Sequence, residues 1–244
     1  GQVHGNEPVG EVALARLARE VGVRLRAGSV LAVRANLEAA RQGLRHTASG
    51  RDLNRLWDAA TLARLAATPA EARCYEESRA VELAPLLLTA DAVLDLHSTS
   101  QPTEPFLLFR DDQAHARIAF GLGVRQLVTG LHEEAVLAGG LACNVGLRPA
   151  ERSHRLGFTF EAGQHTDPTN AHRAWQVVER LLHALGLWSG EPEPVTSECE
   201  VYEVVERFAQ AESGEEPWRF VGHAGGEPGG GRAGPPRALS SFEA

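Results

Sequence analysis

The 244-residue chain has no methionine, three cysteines and an aromatic content of only 6%. Cys74, Cys143 and Cys199 are odd in number, widely spaced and in no C-x-x-C pattern. That argues against a thiolate metal site and a disulfide framework, and points to a reducing, cytoplasmic compartment. No apolar run reaches the ~18 residues of a spanning helix, and no charged-then-apolar leader opens the chain, so no membrane is expected as a partner. Positive charge is also short. With 24 Lys+Arg against 32 Asp+Glu the net charge is -8, which argues against nucleic acid as a partner, although Arg148, Arg152 and Arg155 could serve a small anionic ligand. The first residues read as a strand-to-loop junction, and together with the lack of methionine this predicts a further N-terminal strand ahead of them.

What is present begins with Gly1-Gln2-Val3-His4-Gly5-Asn6-Glu7. An imidazole and a carboxylate stand three positions apart just before a helix. Pro8 suits the first helical position, and Val9, Val12, Leu14, Leu17 and Val21 follow at roughly helical period. Side chains spaced i, i+3 in such a turn can converge on one ion. The H-x-x-E pair alone is weak evidence and needs partners elsewhere.

Further on, strands and helices alternate, the pattern of an α/β fold. Ser29 to Ala35 reads as a strand, and residues 37–57 as a polar, turn-rich stretch. Pro69 opens an amphipathic helix to about Leu88, with Glu71, Glu76, Glu77 and Glu82 toward water. Ala92 to His97 is a buried strand ending in a polar cluster, and in open α/β sheets ligands collect at that carboxyl edge. Phe106–Phe109 and Gln126–Thr129 are strands, with a helix from Gln113 to Leu122 between them. Residues 130–155 are irregular. Leu156 to Glu161 is a strand, followed by the turn at Ala162-Gly163, and Pro168 to Leu185 a closing helix. Gly190 to Pro194 reads as a linker. Glu198–Phe208 and Trp218–Val221 look like strands of a small β region, and from His223 the Gly/Pro-rich composition predicts disorder. The expected domains are therefore a catalytic unit over 1–190, the start of a β domain over 191–222, and a tail over 223–244.

His97 supplies the distant second imidazole, so that His4, Glu7 and His97 form a two-histidine, one-carboxylate set of the kind found in catalytic zinc sites. A lone strand-end histidine is more often a satisfied core residue. Here Asp95, Ser98 and Thr99 flank it with oxygens of the kind that orient ligating imidazoles. Glu161, at the end of an apolar strand, suits a partly buried general base, against the plainer reading of a solvated strand end. Arg45, Asn54 and Arg55 could clamp a carboxylate or polarise a carbonyl, or simply make salt bridges within their loop.

Four blocks in order, Val3-His-Gly-Asn-Glu7, Asp52-Leu-Asn-Arg55, Asp95-Leu-His-Ser-Thr99 and Phe160-Glu-Ala-Gly163, resemble the succinylglutamate desuccinylase/aspartoacylase family over roughly residues 1–190. The resemblance implies a mixed, mostly parallel sheet flanked by helices, of the zinc carboxypeptidase-like kind. It implies one Zn2+ per chain on His4, Glu7 and His97, with Glu161 as general base. It further implies Asn54 and Arg55 holding the substrate carboxylate, and Arg45 polarising the scissile carbonyl. The loop from Arg45 to Asn54 is about two residues longer than in aspartoacylases, and the C-terminal β region reads as truncated soon after Val221. The expected activity is zinc-dependent hydrolysis of the amide bond of a small-molecule N-acyl amino acid. The alternatives are a zinc carboxypeptidase acting on peptides, and a truncated, non-catalytic zinc-binding remnant.

Overall fold

A computed structural model of the chain describes residues 1–130, 142–144, 155–192, 194–195 and 198–204. Its element order is α1 (Val9–Arg24), α2 (Leu37–Gln42), α3 (Ala59–Ala67), α4 (Tyr75–Leu88), β1 (Ala92–Thr99), β2 (Phe106–Phe109), α5 (Gln113–Ala119), β3 (Gln126–Thr129), β4 (Leu156–Gln164), α6 (Asn170–Ala184) and β5 (Glu200–Glu203), with short 3-10 turns at Leu53–Arg55, Ala70–Ala72 and Ala142–Asn144. The strands form one sheet in the order β1-β4-β2-β3-β5. Among the described strand pairs, only β2–β4 is antiparallel. The alternation of elements predicted the α/β class, and the mixed, mostly parallel sheet is the one the family resemblance implied.

The two faces of the sheet divide the labour, because successive side chains of a strand point to opposite sides. Leu96, Leu107, Phe109, Leu127, Phe158 and Phe160 turn to one side. There they pack on α1 through Val9, Ala13 and Leu17, and on α6 through Ala174, Trp175, Val178 and Leu181. The opposite face carries Asp95, His97, Thr159 and Glu161. A second apolar cluster, made by Leu53, Trp57, Leu65, Ala80 and Leu83 with Val3 and Ala35, joins α3 and α4 to the loops above that face. No described helix is long and apolar enough to cross a membrane.

Several sequence expectations need correction. Ser29–Ala35 is not a strand of this sheet. It runs across an apolar cleft of about 480 Å³ from β1, and its backbone is bonded to Gly1: the Gly1 ammonium donates to Val33 O, and Ala35 N–H donates to Gly1 O. The helix expected from Pro69 starts at Tyr75. Arg73 bonds back to Thr68 O through two guanidinium nitrogens, and the Glu77 carboxylate accepts the Cys74 N–H, setting a new helix start there. Glu77 is therefore buried and not in water, and Glu76 is buried completely. Within the stretch read as turns, Asn36 caps a short helix, α2, and just beyond it Asp58 caps α3. The helix expected to reach Leu122 ends at Ala119. Of the later strand expectations, residues 200–203 form β5 beside β3. Most of the irregular stretch 130–155, with Arg148 and Arg152, lies outside the described residues, as do residues 218–221 and 223–244.

Candidate metal centre

The first seven residues reach the sheet as a tightly tethered loop. Gln2 takes φ 55°, the left-handed region that ordinary side chains avoid. Its carbonyl accepts the Asn36 N–H at 2.8 Å, and its side-chain oxygen accepts Arg34 Nε at 2.7 Å. Gly5 lies so close to the Ala39–Ala40 backbone that a Cβ there would collide with it. This close approach requires glycine between the histidine and the carboxylate. The Gly5 N–H donates to Arg45 O at 3.2 Å, and Glu7 N–H turns back to His4 O at 3.3 Å.

This loop meets β1 at His97. One ligand atom from each of His4, Glu7 and His97 lies within 4.8 Å of the others, and all three residues are buried. The Nδ1 atoms of both rings face the Glu7 carboxylate, at 2.7 Å for His4 and 2.9 Å for His97. Their outer nitrogens meet two further carboxylates: His4 Nε2 lies 3.0 Å from Asp52, and His97 Nε2 lies 2.7 Å from Asp95. A carboxylate on the far ring nitrogen fixes an imidazole's orientation and makes it a better metal ligand. The Ser98 N–H donates to Glu7 at 3.0 Å and completes its fixation.

The electrostatics follow from burial and crowding. Burial alone disfavours an imidazolium at His97, but the Asp95 and Glu7 carboxylates outweigh it and raise the pKa well above the usual imidazole range. His4 is raised in the same way, with Glu7 and Asp52 overcoming burial. Burial would raise the Glu7 and Asp52 carboxyls, yet the two histidines hold Glu7 low, and His4 with Arg45 and Arg55 holds Asp52 low. Without metal, protons on the imidazoles balance the carboxylates. A divalent cation supplies that balance without them.

Glu161 sits differently. It is the register partner of His97 across the parallel β1–β4 pair, and its buried Oε2 has no hydrogen-bond partner among the described residues. Burial, reinforced by Glu7 and Asp95 and opposed by His97 and His4, raises its pKa to about 7. An orphaned buried carboxyl oxygen next to side chains that could hold a metal ion fits a site able to receive a cation and a water.

The other predicted residues gather at the same place. Arg45 donates from Nε and Nη2 to Asp52 Oδ2, at 3.2 and 2.8 Å. Asn54 is buried: its Oδ1 accepts the Ala142 N–H at 2.9 Å, and its Nδ2 comes to 3.5 Å from His97 Nε2. Arg55 donates to Asn54 O. Two further residues emerge only in three dimensions. Asp52, a member of the D-L-N-R run, links His4 and Arg45. His165, just past β4, bonds Ser98 Oγ through Nδ1 at 2.8 Å, and burial lowers its pKa. The run of polar residues after Glu161 was the available signal for His165, but nothing in it gave the partner.

Residues 1–185 match the model of a family described as the succinylglutamate desuccinylase/aspartoacylase catalytic domain. No curated protein sequence matches. Among solved structures, the chain is similar to a succinylglutamate desuccinylase/aspartoacylase from Rhodobacter sphaeroides (22% identity, TM-score 0.59, 83% of this chain and 60% of that one). It is also similar to the product-bound ectoine utilization protein EutE (DoeB) from Ruegeria pomeroyi (20%, 0.62, 83% and 60%), and to a mutant form of murine aminoacylase 3 (23%, 0.55, 76% and 63%). At these identities the likeness establishes the fold. The chain spans about 60% of the length of these structures.

Proposed function

The chain belongs to the succinylglutamate desuccinylase/aspartoacylase catalytic domain family, and from that premise we propose that residues 1–190 form the catalytic unit of a zinc-dependent hydrolase acting on the amide bond of an N-acyl amino acid. The observation that carries the reading is the orphaned, buried Glu161 oxygen beside the His4–Glu7–His97 cluster. Two imidazole nitrogens and one carboxylate suit zinc, one ion per chain, and leave no spare ligand for a second. When bound, zinc supplies a Lewis acid that polarises a carbonyl and acidifies water.

The protein's own groups supply the rest. Asp52 and Asp95 hold the ligating rings in place through their outer nitrogens. Glu161, with a pKa near 7, takes a proton from the attacking water and returns it to the departing amine, as a base poised near working pH can. The Arg45 bonds to Asp52 leave its Nη1 donors for the carbonyl oxygen as that oxygen gains charge. Asn54 and Arg55 hold the substrate's free carboxylate, for which a guanidinium is geometrically suited. Three widely spaced cysteines in no C-x-x-C pattern suit a cytoplasmic setting.

A turnover screen of the zinc-loaded protein against acetyl-, succinyl- and longer-acyl amino acids tests the reading. Release of the free amino acid supports it. Release of a C-terminal residue from a peptide makes the protein a carboxypeptidase, and tight zinc binding without turnover of either substrate class makes it a metal-binding protein.

A further inference from the structure

Glu76 presents a carboxyl group where helix periodicity predicts a surface residue. It is 0% exposed and accepts three hydrogen bonds, all from uncharged donors. Thr47 N–H at 2.7 Å and Asn36 Nδ2 at 3.2 Å donate to Oε1, and the Thr47 hydroxyl at 3.0 Å donates to Oε2. Gly50 closes the cradle, since a Cβ there would collide with this carboxyl group. The loop that follows Arg45 is therefore wrapped around one side chain of α4.

The partners of Glu76 lead straight to the metal centre. Thr47 is two residues beyond Arg45, whose carbonyl accepts the N–H of Gly5, between His4 and Glu7. Asn36 caps α2 through Ala39 N–H and donates its own N–H to Gln2 O. If filling the core were its only task, an apolar side chain would serve without the desolvation cost of a buried carboxyl. Hydrogen bonds are directional where apolar contacts are not, which suits holding a loop in one place.

We propose that Glu76 is a positioning residue that fixes the Arg45 loop against the His4–Glu7 loop, and through it the place of the Arg45 guanidinium beside the metal centre. The proposal rests on the role given to Arg45 above. Amide hydrogen exchange and kinetics on the full, zinc-loaded chain test it. Glu76→Ala should speed exchange at the Thr47 and Gly5 amides about tenfold or more, as local opening becomes easier. It should leave the zinc content at one per chain and lower kcat with little change in KM. In an Arg45→Ala background it should cost no further kcat, because both changes remove the same contribution. Glu76→Gln should largely restore both readouts, since the Thr47 hydroxyl can turn to accept from the new amide. Thr47→Val, a milder change that keeps the core filled, should shift both readouts in the same direction by less. Protected Gly5 and Thr47 amides in Glu76→Ala, or in Thr47→Val should Glu76→Ala not fold, would overturn the proposal. So would kcat losses that multiply in the double variant, the mark of general destabilisation. Wild-type kcat in Arg45→Ala alone would remove the catalytic role of Arg45, and the exchange rates would still decide whether Glu76 holds the loop.

Discussion

His97 and Glu161 stand at the same level of two adjacent parallel strands, His97 on β1 and Glu161 on β4. The proposed metal ligand and the proposed base are thus placed by sheet register, with no loop between them. A slip of one residue would send Glu161 to the apolar face packed on α1 and α6, at the cost of the whole Phe158–Phe160 core contact. The register shift that follows His97 on β1 falls just past this pair, so the chain can leave the sheet without disturbing it. A proton acceptor mounted on such a frame keeps its distance from the ligands better than one carried on a loop.

Glu161→Gln separates a working hydrolase from a protein that merely holds an ion. The amide keeps the shape and reach of the side chain but removes the proton acceptor. Zinc content, measured by elemental analysis, should be unchanged, while kcat falls ~10²–10⁴-fold. Loss of zinc would make Glu161 a ligand, and full turnover would leave the reaction without this base.

The His4–Glu7–His97 cluster was legible because its signals are local: a three-residue spacing before a proline-started helix, and a histidine flanked by Asp95 and Ser98 at a strand end. The α/β alternation was legible for the same reason, since each buried strand carries its own apolar run. What local patterns could not show depends on partners far along the chain. Glu76 and Glu77 look like solvent-facing charges on a helix until Thr47 and Asn36 arrive from 29 and 40 residues away, and Cys74 and Arg51 take the second carboxylate. The six residues of α2 are too few to be stable as an isolated helix, and the Asn36 cap, the left-handed Gly43 at its other end and the contact with Gly5 hold them helical. Ser29–Ala35 has the composition of a strand, but composition cannot say that its bonding partners would be Gly1 and Gln2.

Asp95 and Asp52 hold equivalent nitrogens on the rings of His97 and His4, the two proposed ligands, yet their substitution should have different effects. Asp95→Asn weakens only the grip on His97 and should reduce zinc affinity about 10–100-fold with little change in kcat at saturating metal. Asp52→Asn should reduce affinity similarly and also lower kcat at saturating metal, because Asp52 anchors Arg45 as well as His4. Competition with a zinc chelator, followed by turnover at excess zinc, measures both. Identical behaviour of the two variants would break the link drawn from Asp52 to Arg45.

Arg45 and Arg55 should also fail in different ways. A clamp on a remote substrate carboxylate acts in ground and transition states alike, whereas a donor to the developing oxyanion acts mainly in the transition state. Arg55→Ala is expected to raise KM with kcat nearly preserved. Arg45→Ala should lower kcat by ~10²-fold or more, the usual scale for losing one such donor. Equal shifts in both parameters for the two variants would merge the roles.

The last prediction concerns pH and needs no substrate. His4 and His97 have raised pKa values in the metal-free fold, so the stability they contribute is fully present below the unfolded imidazole value, about 6.5, and is lost as pH climbs through the raised values. Glu161, raised to about 7 by burial, runs the same way, since ionising it costs stability as pH rises from the ordinary carboxylate range towards 7. Glu7, Asp52 and Asp95 are lowered, and their stabilisation is already complete in this window. His165 and the Gly1 amine are lowered by burial and oppose the trend, His165 only below about 6.5 and the amine up to about 8, against the three raised groups His4, His97 and Glu161. Metal-free protein should therefore lose thermal stability between about pH 6 and 8. Zinc needs the unprotonated rings, so its binding should release protons and strengthen over the same range. The difference in Tm between zinc-loaded and chelator-treated protein should widen with each step upward in pH, by mass action on the folded state. Melting curves at about pH 6, 7 and 8 with and without chelator give the answer. A constant difference, or a metal-free Tm that rises across the window, would mean that protons on His4 and His97 are not what zinc replaces.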